Sequence, residues 1–158
     1  MSFKSKRTIT TMAVSLIVTA AYIFYTMSNP LLESRSLKAW ALLIMVFIGI
    51  SVAALIVVLI LFHIAYSIGI AVKEGGEDEG KIERLISSAA VEDEMDSIIG
   101  MKSARAGQVC TGIGFGIALI MLALGYSAVW ALHIQLASML IGTLLEGGIS
   151  IYLYERGV

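Results

Sequence analysis

From Ala39 to Val72 the chain runs for 34 residues without an Asp, Glu, Lys or Arg, broken in its apolar character only by His63. In hydrocarbon every backbone N–H and C=O must be satisfied within the segment, and a single segment manages this only as an α-helix. Its many Ile and Val residues are no obstacle, for the same reason. At 1.5 Å per residue such a helix reaches about 51 Å, against a hydrocarbon core of about 30 Å. The run is therefore expected to tilt strongly or to project, with roughly Tyr66 to Val72 helical beyond the core.

Two further stretches obey the same logic. No charge lies between Arg7 and Glu33, and Thr8 to Met27 is long enough to cross a bilayer. Lys4, Lys6 and Arg7 precede it, as basic residues precede a signal peptide. Its apolar part exceeds an h-region, however, and no A-x-A-like site precedes Ser28-Asn29-Pro30, so it reads as a retained anchor. The run Ala106 to Leu145 has 40 uncharged residues, too many for one crossing. Gly125-Tyr126-Ser127 and Trp130 mark the expected reversal, since glycine breaks helices and Tyr and Trp favour the interface.

The expectation is an all-α, polytopic protein: one membrane domain over residues 1–158, with four transmembrane helices at about 8–27, 39–65, 105–125 and 129–153. Composition agrees, at 58% hydrophobic and 15% charged residues with a mean hydropathy of +0.90. That is more apolar surface than a core of this size can hide, so the lipid bilayer is the first partner. One cysteine excludes an internal disulfide and a thiolate zinc site. A net charge of -1 gives no reason to expect nucleic acid.

Lys and Arg residues divide nine to two between the ends that four crossings would place on opposite sides, with only Arg35 and Lys38 in the minority. The positive-inside rule then puts both termini, and the segment between helices two and three, in the cytoplasm. That acidic segment, residues 73–104, carries nine carboxylates and three glycines near its start. Ile82, Leu85, Ile86 and Ala89, then Met95, Ile98 and Ile99, recur at helical spacing, which predicts two short amphipathic helices, the second running into helix three. Their apolar faces suit packing on helix two or docking of a cytoplasmic or membrane protein partner. An anionic leaflet would repel the acids. The spacing of Glu92-Asp93-Glu94-Met95-Asp96 also lacks the ligand pattern of an EF-hand loop.

The stretch Val91-Glu92-Asp93-Glu94-Met95-Asp96-Ser97-Ile98-Ile99-Gly100-Met101-Lys102-Ser103-Ala104-Arg105 resembles the D-E-R-D-x-L-I-x-x-K-x-x-R segment of a family of uncharacterised four-helix integral membrane proteins of Clostridia and other Firmicutes. Val46-Phe47-Ile48-Gly49-Ile50, Leu61-Phe62-His63-Ile64, Gly112-Ile113-Gly114-Phe115, Leu145-Glu146-Gly147 and the ending Tyr152-Leu153-Tyr154-Glu155-Arg156-Gly157-Val158 extend the similarity over nearly the whole chain. Met95 stands where that pattern has Arg. The resemblance implies a multi-pass protein of a bacterial inner membrane, and it implies no activity.

Glu146 is the one formal charge inside an expected span, ten residues before Arg156, hence about 15 Å from that end. An ionisable side chain at that depth is costly and points by default to a proton or cation site, against the plainer reading of a carboxyl hydrogen-bonded between helices. His63, ten residues before Lys73, and Cys110, five after Arg105, fall in the same leaflet, so a Glu146–His63 pair is an expectation to test. The three would make a sparse metal set, but no H-E-x-x-H or C-x-x-C spacing supports it, and neither metal nor cofactor is expected. Gly112 and Gly116, with Ser138 and Gly142 in line with Glu146, form small-residue stripes suited to close helix packing. Glu146 is expected near Gly112 and Gly116. No nucleophile–base pair marks an enzyme.

The function these features favour is a non-enzymatic regulatory or accessory membrane subunit. The alternative is a small oligomeric ion- or proton-coupled transporter or channel using Glu146. Small multidrug exporters also have four short helices, but carry their carboxylate in the first, where this chain has none.

Overall fold

The computed structural model describes residues 3–29, 36–73 and 94–156. They form four helices: α1 (Phe3–Ser28), α2 (Leu37–Lys73), α3 (Glu94–Ala123) and α4 (Ala128–Arg156). Each is long and apolar enough to cross a membrane. The described part is thus all-helical and suits a multi-pass membrane protein.

The 37 residues of α2 are unbroken, so the helix does continue through Tyr66 to Val72. Helix α3 starts at Glu94, so the second amphipathic helix runs into the third span as its spacing predicts, ahead of the span's expected start at 105. The Met95, Ile98 and Ile99 pattern therefore belongs to its first turns, where Glu94 and Asp96 complement the positive end of the helix dipole. The other expected amphipathic helix, around 82–89, lies outside the described residues.

The reversal between α3 and α4 is built by local chemistry. Gly125 has φ +85°, the left-handed conformation that glycine adopts without a Cβ penalty. Its N–H donates to the Leu122 carbonyl and the Tyr126 N–H to that of Met121, both at 3.0 Å. This paired pattern is a Schellman ending. Ser127 then caps α4, its hydroxyl accepting from the Val129 N–H at 3.3 Å.

Side-chain contacts fix the arrangement. Phe3 packs on Phe62 and Tyr66, with ring centroids 5.4 and 4.4 Å away, while Tyr22 meets Phe47 at 5.2 Å, so α1 and α2 are antiparallel. Ser5 donates to Glu155 at 2.9 Å and Tyr22 reaches His133, so α4 is antiparallel to α1. Lys4 pairs with Asp96, which brings the start of α3 to the same end. The helices thus follow the spatial order α2, α1, α4, α3, with α2 touching α4 at a few positions only. Among the described residues of α2, only Trp40 and Ile44 are buried. Outer faces are apolar and open, as Ile17 and Phe24 show at 68% and 74% exposure. Such faces are natural where the surrounding medium is lipid.

The tightest seam joins α3 to α4. A Cβ at Gly114 would collide with Ser138, and one at Gly142 would lie 2.8 Å from both the Gly107 carbonyl and the Thr111 hydroxyl. The small residues at the seam are therefore Gly107 and Gly114 on α3, seven apart, facing Ser138 and Gly142 on α4. The expectation for Gly112 and Gly116 is corrected here: a Cβ at either meets nothing within 4 Å. Both sit two positions from Gly114, which is about 200° around a helix and hence on the face turned away from α4.

Candidate functional site

Glu146 stands on α4 directly across from Gly107, where an added Cβ would lie 3.0 Å from its Oε2 and 3.2 Å from its Cβ. Next to it, Gly147 is packed against Met12 and Thr8 of α1. These neighbours revise its depth. Thr8 immediately follows Arg7 and Gly107 is two residues past Arg105, so Glu146 lies about one turn from the last charges of α1 and α3 rather than 15 Å away. The count from Arg156 misleads because the end of α4 runs alongside the charged start of α1, where Glu155 meets Ser5.

The carboxylate is exposed, and among the described residues it has neither a hydrogen bond nor an ion pair. It borders a hollow of about 280 Å³ between α3 and α4, with Gln108, Thr111, Met139 and Thr143 around it. Thr111 donates to the Gly107 carbonyl and Thr143 to that of Met139, each at 3.0 Å. Both hydroxyl protons are therefore used within their own helices, and only oxygen lone pairs face the hollow.

The other expected site residues lie elsewhere. His63 is exposed on α2, its Nδ1 against the Leu59 carbonyl at 2.8 Å and its ring edge-on to Phe3 at 5.7 Å. It shares no contact with Glu146, which faces α3 rather than α2. Cys110 is a half-buried free thiol whose Sγ donates weakly to the Ser138 carbonyl at 3.8 Å. Among the described residues no three His, Cys, Asp or Glu side chains converge as a metal set would require.

At the opposite end of the helices stands a polar contact that sequence reasoning missed. His133 on α4 lies 2.9 Å from the Tyr22 hydroxyl through Nε2 and 2.7 Å from the Val129 carbonyl through Nδ1. A carbonyl only accepts, so Nδ1 carries the proton, and a neutral ring then accepts from Tyr22 at Nε2. Trp40 closes over the ring edge at 5.0 Å, which brings α1, α2 and α4 together at one histidine. The available signal was a second histidine inside a span, one turn after Trp130, although nothing in the sequence pairs it with Tyr22. Two residues on, Gln135 buries its side-chain oxygen without a hydrogen-bond partner among the described residues.

Between these ends, α1, α2 and α4 border a half-open, mostly apolar cavity of about 230 Å³, with Ser15, Thr19, Ser51 and Thr143 in its wall. Ser15 and Thr19 donate to the carbonyls of Thr11 and Ser15 at 3.1 and 2.8 Å. Met139 and Thr143 border this cavity as well as the hollow at Glu146.

Compared with family models, with curated proteins and with solved structures, the chain matches none.

Proposed function

We propose that the chain is a non-enzymatic regulatory or accessory subunit of a bacterial inner membrane, with both termini and residues 73–104 in the cytoplasm. The observation that supports this reading best is the condition of α2. It is the most apolar of the four helices and the longest, yet among its described side chains only Trp40 and Ile44 are buried. It also continues past the level of Phe3, the first described residue of α1, toward the acidic segment. A helix of this kind offers one continuous surface, from membrane to cytoplasm, to a membrane protein partner or to a second copy of the chain.

The reading is tested by photo-crosslinking in native membranes from Ile56 and Ile60, exposed on α2 at 55% and 54%. A stoichiometric adduct with one membrane protein is expected. Adducts with lipid alone, from a chain that purifies alone, would overturn the proposal.

A second reading, an oligomeric ion- or proton-coupled transporter or channel, draws on one specific feature. Met139 and Thr143 separate the hollow at Glu146 from the cavity between α1, α2 and α4 by little more than their own side chains. Its test is flux in liposomes, which Glu146→Gln should abolish.

A further inference from the structure

The hollow at Glu146 is an unusual place for a carboxylate. Its neighbours on α1 and α3 set it about one turn inside the last charges of those helices, where headgroups give way to acyl chains. The side chain is exposed there and has no cationic or hydrogen-bonding partner among the described residues. A carboxylate at such a boundary is stabilised by a charge-assisted donor, and none reaches it among the described residues.

The polar groups around the hollow also share one sense. Thr111 and Thr143 have committed their protons to the Gly107 and Met139 carbonyls, so with Glu146 they present acceptors only; Gln108 alone can present a donor. Such a lining rejects phosphate and carboxylate and matches a group with several N–H donors and a positive charge. A divalent cation is a poor occupant, because no further His, Cys, Asp or Glu side chains among the described residues complete a coordination sphere. The helices close tightly beside it, since a Cβ at Gly107 would lie 3.0 Å from Glu146 Oε2 and one at Gly142 2.8 Å from the Gly107 carbonyl, and about 280 Å³ lies open next to the carboxylate. That suffices for an ammonium head and its first methylenes.

We propose that the Glu146 hollow is a binding site for the primary ammonium of an amphiphile, either an aminophospholipid headgroup or a free single-chain amine, with its apolar part laid along the α3–α4 seam. The site is independent of the partner surface on α2. The ammonium donates to the Glu146 carboxylate and to the Thr111 and Thr143 oxygens, and the chain leaves toward lipid past Met139.

The test uses the full chain in nanodiscs of phosphatidylglycerol containing a minor fraction of either phosphatidylethanolamine or phosphatidylcholine, with bound lipid counted by native mass spectrometry. Dodecylamine and dodecyltrimethylammonium, titrated separately, distinguish a free amine from a headgroup. Retention of phosphatidylethanolamine over phosphatidylcholine, weakened about ten-fold or more by Glu146→Gln, is the expected result. Selective binding of dodecylamine without phosphatidylethanolamine supports the same ammonium chemistry with the free amine as its source. Equal binding of the primary and quaternary forms overturns the proposal, as does binding unchanged by Glu146→Gln or no selective binding at all. Gly107→Ala, whose Cβ would press on the Glu146 carboxylate at 3.0 Å and displace it, should give the same loss. Should that variant fail to fold, Glu146→Gln, with its unfolding midpoint measured alongside, decides alone.

Discussion

At the scale of single residues, glycines divide sharply by what lies opposite them. Gly114→Ala drives a methyl group into Ser138, which should cost about 1–3 kcal/mol, whereas Gly112→Ala adds a methyl in open space and should leave stability unchanged or slightly raised. Unfolding in mixed micelles compares the two directly, and equal effects would contradict the seam described here. Gln135 offers a second test. Its buried oxygen lacks a partner among the described residues, so Gln135→Met should stabilise the protein by about 1 kcal/mol, read as a rise in unfolding midpoint. A loss of stability would mean that the amide has a partner the structure does not describe. Tyr22→Phe, by contrast, removes the hydroxyl that His133 accepts from and should cost about 1 kcal/mol.

These residues show where sequence reasoning stops. A small-residue stripe is visible as spacing, but two stripes on α3, one through Gly112 and Gly116 and one through Gly107 and Gly114, lie on opposite sides of one helix. Only the crossing with α4 selects between them. Glu146 was legible as a charge inside a span, yet its depth depended on register against Thr8, Met12 and Gly107, which no count along α4 can supply. His133 stayed hidden because its meaning lies in Tyr22 and Trp40, far away in sequence and on two other helices.

At the scale of elements, the four helices were legible because length and the absence of charge in lipid leave one solution. Their ends were less so. The Gly125 turn announces itself through a residue type that local geometry demands, and the Met95, Ile98 and Ile99 spacing announces the helix that runs into the third span, although it does not mark Glu94 as the first residue. The length of α2 carries a direct expectation. Spin labels at Ser67 and Val72, both helical and beyond the level where Phe3 meets Phe62 and Tyr66, should report water contact, while one at Ile56 should report an oxygen-rich, water-poor setting. Water-poor readings at Ser67 and Val72 would mean that the membrane follows α2 to its end.

At the scale of the whole molecule, both ends of the array carry aromatic contacts, but among the described residues the contacts of charged side chains gather at one end. Lys4 with Asp96 and Ser5 with Glu155 tie the start of α1 to the start of α3 and the end of α4, over a Ser5 and a Ser103 that are almost wholly buried. The opposite end holds Tyr22, Trp40, His133 and the Gly125 turn. Under the proposed topology, which rests on the nine-to-two division of basic residues, the Lys4–Asp96 end faces the cytoplasm. The central claim, a four-crossing protein with the Lys4–Asp96 end in the cytoplasm, is tested most directly by substituted-cysteine labelling in a Cys110→Ser background. A membrane-impermeant maleimide should label Tyr126→Cys in intact cells and Ser97→Cys only after permeabilisation. Labelling of Ser97→Cys from outside intact cells would contradict the account.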